Sequence, residues 1–280
     1  MPFEIKGEET SVDTDADFLN LVDKAKEHIY RGDVFQLVVS RPFEQAFFGD
    51  DFQVYRQLRR LNPSPYLFYA DMESYRLMGS SPETQIGLQN GNAAIHPIAG
   101  TVRKTGNAAA DQLSTEALLH DEKENAEHTM LVDLARNDLS RFCNNVHIAS
   151  YKEVQHFSHV IHLVSKVAGE MRSNDASLDL FAGTFPAGTL SGTPKPKALE
   201  LINRYESTPR DYYGGAIGFI NPNGNINLAI VIRSIFSQNN TLHYRAGAGV
   251  VIDSKPENEL QEVNNKLGAV RRAIAAANKL

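Results

Sequence analysis

The sequence predicts an α+β fold of long antiparallel strands with helices outside them. Three observations carry this: β-branched and aromatic runs with two-residue alternation, short Asn- and Gly-containing turns between such runs, and segments whose apolar residues recur at helical spacing. Phe18, Leu21, Val22, Ala25 and Ile29 mark a first helix, with Thr14 or Asp15 as its cap and Gly32 as its stop. Val34–Ser40 follows as a strand, placing Phe35, Leu37 and Val39 on one face and Gln36, Val38 and Ser40 on the other, so that Gln36 sits mid-strand among apolar neighbours. A second helix over Phe52–Leu61 stops before Asn62-Pro-Ser-Pro65, because a proline disfavours helical geometry in the residue before it. Strands Tyr66–Ala70 and Tyr75–Gly79 come next. A hairpin of Thr84–Leu88 and Ala93–Ile98 then turns at Asn90-Gly91, a pair suited to positive φ.

Asp111–Leu134 reads as helix-rich, with Glu124, Glu127, His128 and Leu131 on one face. Strands at Val146–Ile148 and Val160–Val167 are followed by helical segments at Leu178–Phe181 and Pro196–Tyr205. An antiparallel set over Ala216–Ile220, Ile226–Phe236 and Leu242–Ile252 turns at Pro222-Asn-Gly-Asn225 and Asn239-Asn240. The last helix, Pro256 to Ala276, directs Leu260, Val263, Leu267, Val270 and Ile274 inward and keeps Glu259, Glu262 and Lys266 on an adjoining face. There is no internal repeat, low-complexity tract or clear linker.

At 280 residues, 42% hydrophobic and 22% charged, the chain has an ordinary globular composition and enough length to bury a sizeable core. A net charge of -6 gives no electrostatic footprint for nucleic acid, and no Lys/Arg run or long apolar stretch suggests a membrane. The expected location is cytoplasmic. Cys143 is the single cysteine, so it has neither a disulfide partner nor a second thiol for a metal. Any anionic ligand must be held by a local site.

Arg233 interrupts the most apolar run, Leu228–Phe236, and a buried guanidinium needs an anion: a core carboxylate or a ligand carboxylate. Glu124 with Glu127, and Glu259 with Glu262, form two acidic i, i+3 pairs; a solvated charged face explains them, and so would a hard cation. Ala99-Gly-Thr101 and the Gly-containing Gly183–Gly192 would let backbone approach a ligand, yet neither matches a phosphate loop or a dinucleotide fingerprint.

Taken together, the motifs resemble the chorismate-utilising enzymes, within them the component I subunits of anthranilate synthases. The resemblance runs from Gly32 to Ala273. It comprises Asp33-Val-Phe-Gln-Leu-Val-Val-Ser-Arg41, Asn62-Pro-Ser-Pro-Tyr66, Gly79-Ser-Ser-Pro-Glu83, Pro97-Ile-Ala-Gly-Thr101, Asp121-Glu-Lys-Glu-Asn-Ala-Glu-His128, Leu131-Val-Asp-Leu-Ala-Arg-Asn-Asp-Leu139, Phe185-Pro-Ala-Gly-Thr-Leu-Ser-Gly-Thr-Pro-Lys195, Tyr213-Gly-Gly215 and Arg245-Ala-Gly-Ala-Gly-Val-Val251.

The resemblance implies a sandwich of antiparallel sheets flanked by helices, and residues 1–280 acting as a single chorismate-binding catalytic domain. It implies Glu127 and Glu262 as Mg2+ ligands supported by Glu124 and Glu259, with the metal holding the ring carboxylate of chorismate alongside backbone at Gly100 and Thr101. Arg233 and Tyr213, with backbone near Gly247 and Gly249, would hold the enolpyruvyl carboxylate, and Lys266 would add positive charge. Glu83 matches the general acid for the departing ring hydroxyl. His128 would handle the proton as pyruvate leaves or orient Glu127. Relatives that add water carry a lysine base where this chain has Gln36, and those that make aminodeoxychorismate carry a lysine nucleophile where it has Ala99. The implied activity is anthranilate formation from chorismate and ammonia, the latter supplied by a glutamine amidotransferase subunit. Aminodeoxychorismate synthesis and a binding or regulatory module without turnover stay open as alternatives. Family members carry further chain before the part that matches, so the expectation is that an N-terminal regulatory portion is absent here, that Pro65 and Tyr66 keep half of a tryptophan pocket, and that the chain either self-associates, as a homo-oligomer, or has low stability.

Overall fold

A computed structural model describes residues 1–156, 160–173 and 176–279. In chain order the elements are β1 (Glu4–Thr10), α1 (Asp15–Tyr30), β2 (Gln36–Phe48), α2 (Phe52–Leu61), β3 (Tyr66–Asp71), β4 (Arg76–Ser81), β5 (Thr84–Gln89), β6 (Asn92–Ile95), β7 (Ile98–Arg103), α3 (Ala108–His120) and α4 (Glu122–Ser140). There follow β8 (Cys143–His156), β9 (Val160–Met171), α5 (Ser177–Thr184), α6 (Gly188–Ser191), β10 (Gly192–Thr193), α7 (Lys195–Tyr205), β11 (Ala216–Ile220), β12 (Ile226–Ile230), β13 (Ser234–Gln238), β14 (Thr241–Val250) and α8 (Pro256–Ala277). The α+β class of antiparallel sheets flanked by helices is what the chain adopts. Packing gathers the chain into two compact units.

The first unit comprises Met1–Pro82, Thr189–Gly215 and the chain from Ile230 on. Its sheet runs β1-β2-β14-β13-β4-β3, with β10 also on β2. The backbone of this sheet is the long β2–β14 pair, in register from Leu37 opposite Val250 to Ala46 opposite Thr241. Alternation sends Leu37 and Val39 into a core shared with Phe18 and Val22 of α1, Leu58 of α2, Leu201 of α7, and Val263, Leu267, Val270 and Ile274 of α8. Thr14 caps α1 in a reciprocal capping box with Asp17, which settles the choice between Thr14 and Asp15.

The second unit comprises Glu83–Gly188 and Ala216–Ala229. Its sheet runs β11-β12-β5-β6-β9-β7, with β8 also on β9. Val132, Ala135 and Leu139, one face of α4, pack with Ile86 and Leu88 of β5, Val167 of β9 and Leu180 of α5.

Several expectations are corrected. Ile226–Phe236 is not one strand: β12 pairs with β5 in the second unit's sheet, β13 pairs with β4 and β14 in the first, and the chain changes sheet between them. Arg233 therefore lies in the crossover, at φ 49°, rather than mid-strand. Gln36 opens β2 instead of sitting within it, and β2 continues to Phe48. The stretch read as one strand to Ile98 breaks at His96-Pro97, since proline has no N–H for the ladder. Asp121 divides the helical stretch in two, its Oδ1 accepting the Glu124 N–H at 3.0 Å to cap α4. Glu259 is buried at 3% exposure, not solvated on an outer face. Among the described residues no helix is long and apolar enough to cross a membrane.

Candidate active site

In the first unit, Tyr213, Gly247, Glu262 and Lys266 come together. Gly247 lies mid-way along β14, opposite Ser40 of β2. A Cβ at Gly247 would stand 2.6 Å from the Val39 carbonyl oxygen and 3.2 Å from the Tyr213 hydroxyl, so only glycine leaves that backbone open beside the phenol. Lys266, one turn after Glu262 on α8, donates from Nζ to the Gly247 carbonyl at 2.8 Å and pairs with Glu262 Oε1 at 2.7 Å. Burial pulls the Lys266 ammonium down, but the charge and hydrogen bond of Glu262 outweigh it and hold its pKa above the usual value. The Lys266 side chain is 42% exposed, with Nζ held by the Gly247 carbonyl and Glu262. The Arg233 guanidinium, a like charge, acts on Lys266 in the lowering direction. Tyr213 is buried, and burial pushes its phenol up against the pull of Arg210 and Lys266. Gly249 follows on β14 opposite Val38. Two cations, Arg233 and the Glu262-paired Lys266, thus stand with a phenol and glycine backbone in one unit, groups of the kind that can bind a carboxylate.

Arg233 holds a left-handed φ that side-chain-bearing residues rarely adopt, and its carbonyl accepts from the Ser80 N–H at 3.1 Å. Strain of this kind persists where surrounding structure enforces it. Gln36 is buried at 2% exposure as a neutral amide.

In the second unit, Gly100 on β7 has φ 72°, and a Cβ there would stand 2.7 Å from Leu118 Cδ1 and 3.4 Å from Glu124 Oε2. Glycine thus brings β7 backbone close to the Glu124 carboxylate. The Gly100 carbonyl faces Nδ1 of His162 at 3.0 Å. Thr101 pairs opposite His162 through its backbone; its side chain lies outside what the structure describes. Glu127 is half-buried one helical turn after Glu124 on α4. His128 is fully buried, its Nε2 at 2.6 Å from Ser165 Oγ, while that same oxygen accepts the Lys152 N–H at 2.9 Å. Burial, reinforced by Lys152, lowers the His128 pKa to about 4, so the imidazole is neutral at physiological pH. Glu83 is half-buried at the start of this unit.

In donor type, each acidic pair taken by itself offers the hard carboxylate oxygens that Mg2+ takes: Glu124 and Glu127 share a face of α4 in the second unit, and Glu259 and Glu262 lie one turn apart on α8 in the first. Among the described residues no three His, Cys, Asp or Glu side chains are gathered as a metal cage.

Sequence reasoning missed Ser165, which fixes His128, and the buried set Glu206, Arg210 and Arg245 behind Tyr213. A signal existed for Arg245: like Arg233, it stands inside an apolar run. The glycines of 183–192 are closely packed. Gly183 lies under the Phe142 ring, Gly188 against Leu134, and Gly192 against the Gln36 carbonyl.

Comparison with known proteins places this geometry. The chain is 43% identical to the anthranilate synthase component 1 of Aquifex aeolicus over 95% of this chain and 54% of that protein. It superposes on the crystal structure of anthranilate synthase component I from Streptococcus pneumoniae with a TM-score of 0.88 at 38% identity, covering 97% of this chain and 60% of that one. A putative 2,3-dihydroxybenzoate-specific isochorismate synthase from Bacillus anthracis gives a TM-score of 0.87 at 29% identity, over 98% and 74% of the two chains. The chain spans about half the length of the curated relatives it matches. The sequence profile of the chorismate binding enzymes matches residues 3–272, across both compact units, and the chain belongs to that family.

Proposed function

We propose that this chain is the catalytic component of an anthranilate synthase, a Mg2+-dependent lyase of tryptophan biosynthesis acting in the cytoplasm. It would convert chorismate and ammonia to anthranilate and pyruvate, the ammonia coming from a glutamine amidotransferase subunit. The observation that carries this reading over its relatives is Gln36, a buried neutral amide at the position where water-adding family members hold a lysine base. An amide cannot deprotonate water, which speaks against an isochorismate product. Ala99, buried on β7, likewise cannot form the covalent ring adduct that aminodeoxychorismate formation uses.

In this reading Arg233, Tyr213 and the Gly247 and Gly249 backbone hold the enolpyruvyl carboxylate, with Lys266 supplying further positive charge. Gly100 and Thr101 backbone approaches the ring carboxylate. Glu127 and Glu262, supported by Glu124 and Glu259, would hold Mg2+, which when bound neutralises that carboxylate. Glu83 gives its proton to the departing ring hydroxyl as ammonia forms the new C–N bond beside the ring carboxylate, the double bonds shifting across the diene. Loss of a ring proton and of the enolpyruvyl group as pyruvate then yields the aromatic amine, with His128 handling the proton or orienting Glu127.

The test is turnover of the 280-residue chain with chorismate, Mg2+ and ammonium, followed by product fluorescence and chromatography. Anthranilate is the expected product; isochorismate or aminodeoxychorismate in its place would overturn the reading. Glu127→Ala and Glu262→Ala should each remove Mg2+-dependent turnover with unchanged circular dichroism, because each deletes one anionic oxygen ligand. Full activity of both at limiting Mg2+ would take these helices out of the metal site.

A further inference from the structure

Behind Tyr213 lies a buried ionic cluster that no role so far accounts for. Glu206, just past α7, has a side chain only 4% exposed, yet its carboxylate accepts five hydrogen bonds. Oε1 accepts from the Ser40 N–H and from Ser40 Oγ, each at 2.8 Å, and from Arg210 Nη2 at 2.6 Å. Oε2 accepts from Arg210 Nε at 2.9 Å and from Arg245 Nη1 at 3.1 Å. A buried carboxylate is tolerated only when so completely matched.

The two arginines reach Glu206 from different segments, Arg210 from the stretch before Tyr213 and Arg245 from β14. Arg210 forks over Glu206 and also donates to the carbonyls of Val38 and Leu190. Its guanidinium lies 5.9 Å from the centre of the Tyr213 ring, and its own carbonyl accepts the Tyr213 N–H at 2.8 Å. Arg245 stands two residues before Gly247 on β14, and donates to Thr208 and Pro209 of the segment leading to Tyr213. Ser40 is the β2 residue opposite Gly247. One carboxylate therefore ties together the strand pair that presents the Gly247 backbone and the turn that presents the Tyr213 phenol.

We infer that Glu206 is a positioning residue for substrate carboxylate binding: through Arg210 and Arg245 it sets the spacing between the Tyr213 hydroxyl and the Gly247 backbone. The inference rests on the chorismate reading above. Glu206 touches no reacting atom. Its loss should weaken a contact made equally in ground state and transition state, which raises KM and spares kcat.

The test compares wild type, Glu206→Gln and Arg210→Lys by calorimetric chorismate binding with Mg2+, by steady-state kinetics with ammonium, and by thermal melting. Glutamine keeps the shape and removes the charge; lysine keeps the charge and removes the planar fork. The expected result is a roughly tenfold rise in Kd and KM for chorismate, with kcat within about threefold, in whichever variant stays folded. A folded variant of either kind that binds chorismate as wild type does overturns the inference, as does an equal fall in kcat and kcat/KM. Should both variants melt below the assay temperature, Ser40→Ala, which removes only one neutral donor, must still raise Kd measurably, and an unchanged value overturns the inference. Wild type that binds chorismate but makes no anthranilate defeats the proposed reaction while the Kd comparison still decides the role of Glu206. Wild type that binds no chorismate defeats both.

Discussion

Arg233 is a costly residue to hold: at φ 49° its backbone sits in a region that disfavours an L side chain by about 1–2 kcal/mol. A glycine would be easier there, so a guanidinium at this point needs a reason. Capture of a carboxylate supplies one, and the geometry of that capture gives a prediction. Arg233→Lys keeps the positive charge and the backbone conformation, and loses the two parallel donors that match a carboxylate. We expect KM for chorismate to rise about tenfold or more with circular dichroism unchanged; a wild-type KM would remove Arg233 from the carboxylate contact. At this scale the sequence was partly legible. A cation inside an apolar run announces itself, and the same signal extends to Arg245. Glu206 gave no signal, because a single acid in a polar segment after a helix looks solvated until its five donors are seen. The acidic pairs on α4 and α8 were legible as faces of helices, but only the family resemblance gave them a metal.

Among the elements, periodicity found most helices and strands, and its failures have physical causes. Leu228–Phe236 is apolar enough to serve two sheets, and nothing in an uninterrupted apolar run says where hydrogen-bonding partners change. β1 is a polar edge strand, so it lacks the alternation that marks a half-buried one. β8 runs far beyond the expected Val146–Ile148 because its pairing with β9 shifts register three times, which scrambles the two-residue pattern. Where an element was read too broadly, a cap decided the boundary. The start of α3 is braced by Asp111, whose Oδ1 accepts from the Thr105 N–H and Oγ, each at 2.7 Å. Those bonds, the backbone one foremost, hold the Asp111 pKa below its ordinary 3.8. Because the folded-state pKa is the depressed one, the stabilisation is present above the ordinary value and lost as pH falls through the lowered one. Asp111→Asn should therefore lower the urea midpoint at neutral pH and flatten its decline below about pH 4. Parallel midpoint curves for the two proteins over that acid range would show that the brace contributes nothing to folding.

On the scale of the whole molecule, charge and cysteine usage bear on where the nitrogen comes from. In the proposed reading a chain of net charge -6 binds a dianion through local cations, Arg233 and Lys266 in the first unit, while Arg210 and Arg245 there are held by Glu206. Ammonia release from glutamine is a different task, requiring a nucleophile able to attack the side-chain amide carbonyl; in cysteine chemistry that nucleophile is a thiolate. The single thiol of this chain is unsuited to it. Cys143 is 2% exposed, lies 3.9 Å from the Met171 sulfur, and burial pushes its pKa up, away from thiolate formation. The chain should accordingly form anthranilate from chorismate with ammonium and not with glutamine alone, and gain glutamine-dependent turnover when a glutamine amidotransferase subunit is added. Cys143→Ala should leave the ammonium-dependent rate within about twofold, since a buried, protonated thiol acts as a small apolar side chain. Glutamine-dependent anthranilate formation by the purified single chain would require a nucleophile other than Cys143, and would end the division of labour proposed here.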